Sequence, residues 1–182
     1  MQPSLPEAVL LVDGYNIIGA WSYLTKTRDR LGLEAARGEL VSALTNYSAL
    51  QGYETQVVFD SQYQNTCSSQ EIINQNLSVH YTNFGQTADT YIEKSCAALR
   101  PYLKQSHRCR LIVATNDRVQ QLVVVGYGAE WMSAHQLNCE VESTLKISLT
   151  KHRQRKQSAS RFLANSIDAK ARQKLAQLRM EL

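Results

Sequence analysis

VLLVDGYNII, residues 9–18, is the stretch of sequence that decides the fold. Residues 9–12 form a short apolar run rich in β-formers, which predicts a buried strand. Asp13 and Gly14 follow directly, and we interpret residues 14–21 as a turn that begins a connecting element. The carboxyl end of a central parallel strand faces the crevice in which open α/β sheets place their sites, so Asp13 is a candidate site residue. Taken alone, an Asp-Gly pair is more often a turn without chemistry.

The rest of the chain repeats this pattern of an apolar strand followed by a helix. Apolar runs predict strands at 55–60, 77–82 and 110–115 and a short fifth strand within 129–134. Helical spacing predicts helices over 33–50, 88–103 and 119–125, and another that starts near Ser133. Residues 61–76 are polar with little periodicity and predict a long loop. The alternation predicts an α/β fold with a parallel sheet, right-handed crossovers and helices on both faces.

Three more aspartates stand where a strand ends or a helix begins. Asp60 closes the second predicted strand, Asp117 follows the fourth, and Asp89 opens the helix at residue 88. Carboxylates gathered in one crevice repel one another and are costly to keep ionised unless a cation joins them. Hard oxygen ligands suit Mg²⁺ or Mn²⁺, so we predict a divalent-metal site that acts on phosphate.

Each acid also has a purely structural alternative. Asp117 could be a helix N-cap, Asp89 could be an ordinary acid in a first helical turn, and Asp60 could be a turn residue at a strand end. The conjunction of the acids favours a site, because each falls independently at a position that faces the crevice.

Charge is distributed unevenly along the 182 residues. Residues 1–141 carry 10 basic and 13 acidic side chains, whereas residues 142–182 carry 10 basic and 3 acidic ones. A basic tail predicts a polyanionic partner such as nucleic acid or the ribosome, although a solvated basic helix without a partner is the alternative. We expect one domain with a basic helical C-terminal extension.

Composition and motifs exclude several other classes. The four cysteines form no CxxC pair, and we expect reduced thiols in a cytosolic setting. The N-terminus lacks the features of a signal peptide and the chain lacks a membrane span, so we expect a cytoplasmic protein. Residues 14–20 match neither a P-loop nor a dinucleotide fingerprint, and no nucleophile elbow is present.

Five strings in order, VDGYNIIGAW, VVFDS, GQTADTYIE, VATNDRVQQ and GAEWMSA, resemble the NYN-domain family of PIN-like ribonucleases. Within that family, residues 8–150 are most similar to the YacP-like branch of ribosome-associated endoribonucleases. The resemblance implies a three-layer α/β/α PIN-like sandwich with a central, mainly parallel sheet and an acidic metal pocket. The family's motif positions fall on Asp13, Asn16, Asp60, Asp89 and Asp117.

The function predicted from these features is a Mg²⁺- or Mn²⁺-dependent endoribonuclease that cleaves single-stranded RNA, in particular mRNA associated with ribosomes. The domain would span 1–150 and the basic helical extension 151–182. The predicted catalytic residues are Asp13, Asp89, Asp117 and Asn16, and the predicted metal ligands are Asp13, Asp60, Asp89 and Asp117. The predicted phosphate contacts are Arg118, Arg37, Lys151, Arg153, Arg155 and Lys156.

Two rival functions remain at the level of sequence. The first is a non-catalytic RNA- or ribosome-binding module that keeps the fold. The second is an adaptor whose C-terminal helix, around 161–182, docks a protein partner through its apolar face.

Overall fold

The structure is a computed structural model that describes residues 6–60, 69–105, 109–148 and 150. In this described part, one mixed sheet contains six strands in the order β3-β4-β2-β1-β5-β6. All neighbouring strands pair in parallel except β3 and β4, which are antiparallel. The strands are β1 (Ala8–Asp13), β2 (Tyr53–Phe59), β3 (Ser69–Asn74), β4 (Leu77–Tyr81), β5 (Arg110–Ala114) and β6 (Glu130–Met132).

Helices connect these strands. They are α1 (Gly14–Ala20), α2 (Ser22–Leu31), α3 (Leu33–Gln51), α4 (Ala88–Gln105) and α5 (Arg118–Gly126), and a further helix, α6, begins at residue 134. Chain contacts divide the protein into two compact units, Met1–Thr144 and Leu145–Leu182. None of the described helices is both long enough and apolar enough to cross a lipid bilayer.

Alternating side chains of β1 fill an apolar core on each face of the sheet. Leu10 and Val12 are fully buried in the core that includes residues of α1, α2, α3 and α6. Leu11 points to the opposite face, where it belongs to the core that includes Ile92 of α4 and Val124 of α5. Helices therefore cover both faces of a mainly parallel sheet, and the three-layer α/β/α prediction is confirmed.

The sheet topology creates the crevice that the sequence predicted. β1 is central, with β2 and β4 on one side of it and β5 and β6 on the other. The chain order reverses direction at β1, so the connections that leave β1 and β5 run to opposite faces. A crevice opens at the carboxyl ends of the strands at such a switch point.

Three local assignments differ from the sequence prediction. Residues 14–20 form helix α1 at once rather than a turn, because Asp13 caps the helix. Helix α2 was not predicted, because Leu24 is its only buried residue and a single buried position shows no apolar periodicity. Part of the predicted 61–76 loop is the edge strand β3, whose residues are nearly all exposed and thus show no alternation; residues 61–68 lie outside the described residues.

Candidate active site

The four predicted acids all lie near the carboxyl ends of β1, β2 and β5. Asp13 is the last residue of β1, and Asp60 directly follows β2. Asp117 lies between β5 and α5, and Asp89 lies in the first turn of α4. We call these four residues the aspartate cluster.

Asp13 is the most buried member of the aspartate cluster, with 8% of its surface exposed. Its backbone is extended, and its Oδ1 accepts a hydrogen bond of 3.2 Å from the backbone N–H of Asn16. Asp13 thus serves as the N-cap of α1, where the partial positive charge of the helix end favours a carboxylate.

Gly14 allows α1 to start immediately beside β2. A Cβ atom at this position would lie 2.2 Å from Cε1 of Phe59, which is closer than side-chain atoms can approach. The absence of a side chain therefore keeps the end of β1 close to the end of β2, and Asp13 close to Asp60.

Asp60 positions the start of α4. Its Oδ1 accepts a hydrogen bond from the backbone N–H of Ala88. Thr87 adds a second cap, because its hydroxyl accepts a bond of 3.2 Å from the Thr90 N–H. The two caps fix the first turn of α4 and thereby the backbone of Asp89.

Asp117 and Asp89 are joined through Gln120. Asp117 is the N-cap of α5, and its Oδ1 accepts bonds of 2.7 Å from the Val119 N–H and 3.3 Å from the Gln120 N–H. The side-chain amide of Gln120 donates a bond of 2.5 Å to Oδ1 of Asp89. Gln120 therefore links the two helix starts that carry these acids.

Asn16 ties β1 to β5 at the mouth of the crevice. Its Oδ1 accepts a bond of 2.7 Å from the backbone N–H of Asn116, a residue 100 positions later in the chain. Asn116 in turn accepts a bond of 2.9 Å from the Ala134 N–H and caps α6. The Asn16 side chain consequently holds the loop that carries Asp117, and its amide N–H groups donate to no described residue.

The carboxylates of the aspartate cluster interact through their charges. The pKa of Asp13 is raised to about 7, mainly by burial and also by the charges of Asp89, Asp60 and Asp117, while the bond from Asn16 opposes the rise. Burial also raises the pKa of Asp89, with added repulsion from Asp117 and Asp60. The pKa of Asp60 rises through burial and is lowered in part by the Ala88 bond.

The carboxylate oxygens of the aspartate cluster are of the chemical type that binds a hard divalent cation. Each carboxylate uses one oxygen on the contacts above, and its second oxygen accepts no hydrogen bond from a described residue. Oε1 of Gln120 is buried and also lacks a partner within the described chain. Among the described residues, no group of three or more Asp, Glu, His or Cys side chains is arranged to hold one ion as it stands. Assembly of a metal site would thus require these side chains to move from the positions they hold here.

The predicted substrate contacts have different surroundings. Arg118, the first residue of α5, is exposed beside Asp117, whereas Arg37 of α3 is half-buried among aromatic rings. Lys151, Arg153, Arg155 and Lys156 lie outside the described residues.

Sequence reasoning missed Gln120 and Asn116. Gln120 stands three residues after the Asp117 N-cap, the spacing of a capping box, and this signal marks it as a residue of the first turn. In the structure its side chain turns away from the cap towards Asp89. No local signal marks Asn116, because both its partners come from distant parts of the chain.

Comparisons with known proteins agree with this architecture. A model of the YacP-like NYN domain matches residues 10–180. Protein YacP of Bacillus subtilis strain 168, described as uncharacterized, is 36% identical over 135 residues, which cover 74% of this chain and 75% of that protein.

Two crystal structures from Bacillus subtilis share the fold. A single-substitution mutant of Rae1 (YacP) matches with a TM-score of 0.66 and 33% identity over 80% of this chain and 81% of that one. A second structure of Rae1 (YacP) matches with a TM-score of 0.63 and 29% identity over 94% of both chains.

Proposed function

We propose that this chain, which belongs to the YacP-like NYN domain family, is a divalent-metal-dependent endoribonuclease that cleaves single-stranded RNA. Membership of that family implies a nuclease or RNA-related function. The observation that carries the finer proposal is the aspartate cluster at the crevice of a parallel sheet, where burial and the charges of neighbouring acids raise the pKa values of Asp13 and Asp89. Such mutual repulsion is costly for a fold unless a cation relieves it during function.

In this proposal Mg²⁺ or Mn²⁺ is held by Asp13, Asp89 and Asp117, with Asp60 as a further ligand. A bound divalent cation of this kind supplies a nucleophile at neutral pH and stabilises charge on the phosphodiester. The second oxygens of the carboxylates accept no hydrogen bond from a described residue, which supports the assignment. Oε1 of Gln120, which has no partner within the described chain, adds a neutral oxygen beside Asp89.

Asn16 is proposed to position the scissile phosphate or the attacking water. Its carbonyl oxygen accepts from the Asn116 N–H, which leaves its amide N–H groups as the donors for this role. Arg118, exposed at the start of α5, is proposed to contact a phosphate next to the cluster. Its guanidinium can bind phosphate with two parallel hydrogen bonds.

The remaining parts of the proposal concern the partner. We propose a nuclease domain at 1–150 and a basic extension at 151–182 that supplies salt-sensitive affinity for RNA through Lys151, Arg153, Arg155 and Lys156. Messenger RNA on the ribosome is the proposed substrate, and the ribosome the proposed partner, in the cytoplasm. A chain that ends after residue 150 should cleave naked RNA but bind it, or ribosomes, more weakly.

The test compares cleavage of a single-stranded RNA with Mg²⁺, with Mn²⁺ and with a chelator, in the presence and absence of translating ribosomes. Asp13→Asn and Asp89→Asn should lose cleavage by about 100-fold or more, as expected when a group that stabilises the transition state is removed. Asp29→Asn is the matched control, because Asp29 is exposed on α2 and pairs with Arg28. Cleavage that survives the chelator or the Asp89 substitution would refute the proposal.

The alternative function is a non-catalytic RNA- or ribosome-binding module. The observation that favours it is that no group of three candidate ligands among the described residues is arranged to hold a metal ion. RNA or ribosome binding without cleavage under every metal condition would establish this alternative.

A further inference from the structure

A cavity of about 470 Å³ lies between α3 and the antiparallel edge of the sheet. Its described lining includes Glu34 and Arg37 from α3, Ser69 and Glu71 from β3, and Tyr81 from β4. This volume falls within the range of ligand pockets, about 300–1,000 Å³.

Arg37 is the unusual residue of the cavity. Its Nε is buried and finds no hydrogen-bond partner within the described chain, while Nη1 donates a long bond of 3.3 Å to the Tyr15 hydroxyl. The guanidinium lies 5.7 Å from the ring centre of Tyr81 and 6.0 Å from that of Phe59. It makes no ion pair with any described carboxylate. A buried donor without an acceptor is costly, and an incoming acceptor would remove that cost.

Contacts between three aromatic rings connect this cavity with the aspartate cluster. Tyr15 follows Asp13 by two residues, and its ring lies 5.0 Å from that of Phe59, the residue before Asp60. Phe59 in turn stacks on Tyr81 at 5.8 Å with an interplanar angle of 25°. Phe59 is fully buried, so the half-buried rings of Tyr15 and Tyr81 are the ones that can face a nucleotide next to a phosphate at the cluster.

The charges of the cavity select a base rather than a phosphate. Glu34 and Glu71 line the cavity beside Arg37, and their negative charges would repel a bare phosphate. Carboxylates accept hydrogen bonds from the amino groups of bases, and an arginine donates to ring nitrogens and carbonyl oxygens. Guanidinium and phenol faces also stack on unpaired bases.

We infer that this cavity binds one unpaired, amino-bearing nucleobase of the RNA, beside the phosphate at the aspartate cluster. Arg37 donates to the acceptor atoms of the base, Glu34 or Glu71 accepts from its amino group, and Tyr81 with Arg37 provides the stacking surface. The inference rests on the proposed function, since it assigns a base subsite to the same RNA strand. Uracil lacks an amino group and should be discriminated against.

The test measures binding without cleavage, using the full chain with Asp89→Asn and no metal. The probes are two single-stranded oligoribonucleotides of equal length, one of cytidines and one of uridines, which differ in the amino group. We expect the cytidine oligomer to bind about ten-fold more tightly, the size expected for one specific base contact. Side-chain Nε–H signals in an NMR titration should show Arg37 shifting with the cytidine oligomer.

Two sets of variants assign the contacts. Glu34→Gln with Glu71→Gln should reduce the preference for cytidine to less than about three-fold, because a neutral amide is a weaker acceptor for the amino group. Glu39→Gln is the matched control on the same helix, since Glu39 bonds to Thr27 outside the cavity. Arg37→Met should weaken binding of both oligomers, whereas Arg30→Met on exposed α2 should not.

Equal affinity for the two oligomers, or a preference unchanged by the paired glutamate substitutions, would overturn the inference. RNA cleavage by the wild-type chain with equal affinity for cytidine and uridine would refute the base subsite and leave the nuclease proposal intact. Preference for cytidine that depends on Glu34 and Glu71, without cleavage by the wild-type chain, would support the subsite and refute the nuclease.

Discussion

Asp13→Asn should make the metal-free protein more stable while it abolishes activity. Asp13 is 8% exposed, and its pKa is raised from 3.8 to about 7, mainly by burial and also by the charges of three other acids. The asparagine is neutral and keeps an oxygen for the Asn16 N–H. A substitution that destroys a site but strengthens a fold is the expected mark of a functional charge cluster.

The magnitude follows from linkage between protonation and folding. A carboxyl whose pKa is raised in the folded state favours folding fully below its unfolded pKa, and this contribution is lost as the pH rises through about 7. A pKa rise of about three units corresponds to about 4 kcal/mol of folding free energy at most, and relaxation of the metal-free cluster reduces this value. We therefore expect Asp13→Asn to raise the free energy of unfolding by about 2–4 kcal/mol at pH 8. For a chain of this size that is a rise in Tm of roughly 5–10 °C.

The assay is thermal and urea unfolding of both proteins from pH 4 to pH 8 with a chelator present. The stability difference should be near zero at pH 4 and should grow to its full value at pH 8. Added Mg²⁺ or Mn²⁺ should raise the Tm of the wild type more than that of the variant, because a ligand stabilises the state that binds it. Asp29→Asn should change stability by less than about 0.5 kcal/mol at every pH.

The reasoning is refuted if Asp13→Asn is no more stable than the wild type at pH 8 without metal. It is also refuted if the difference between the two proteins does not change with pH, because a constant gain would come from packing and not from charge.

Three further predictions concern single contacts. Gly14→Ala places a methyl group against the Phe59 ring, so the free energy of unfolding should fall by about 1–3 kcal/mol and RNA cleavage should decrease. An unchanged Tm would contradict the close approach of Gly14 to Phe59. Asn16→Ala removes the acceptor of the Asn116 N–H and should speed hydrogen exchange in the loop before α5, with a loss of about 1 kcal/mol measured by urea unfolding. Glu130→Gln breaks an exposed ion pair with Arg110 and should cost less than about 1 kcal/mol in low salt and nothing in high salt. Because Arg110 lowers the pKa of Glu130, that contribution should fade as the pH falls through the lowered pKa.

Much of the fold could be read from the sequence because it is encoded locally. The apolar run before Asp13 and the helical spacing after Leu33 each depend on neighbours within one element, and β1 and α3 lie where these patterns place them. The edge strand β3 could not be read in this way. It is exposed on both faces, so burial imposes no alternation on its residues.

The sequence by itself determined which acids stand at strand ends and helix starts, because caps and strand termini are local features. Only the tertiary structure decided what those acids contact. Gln120 meets Asp89, and Asn16 meets Asn116, through packing of elements that are far apart in the chain. The same packing brings Arg37 against Phe59 and Tyr81 and opens the adjoining cavity. Such contacts depend on the order of strands in the sheet, which no local pattern specifies.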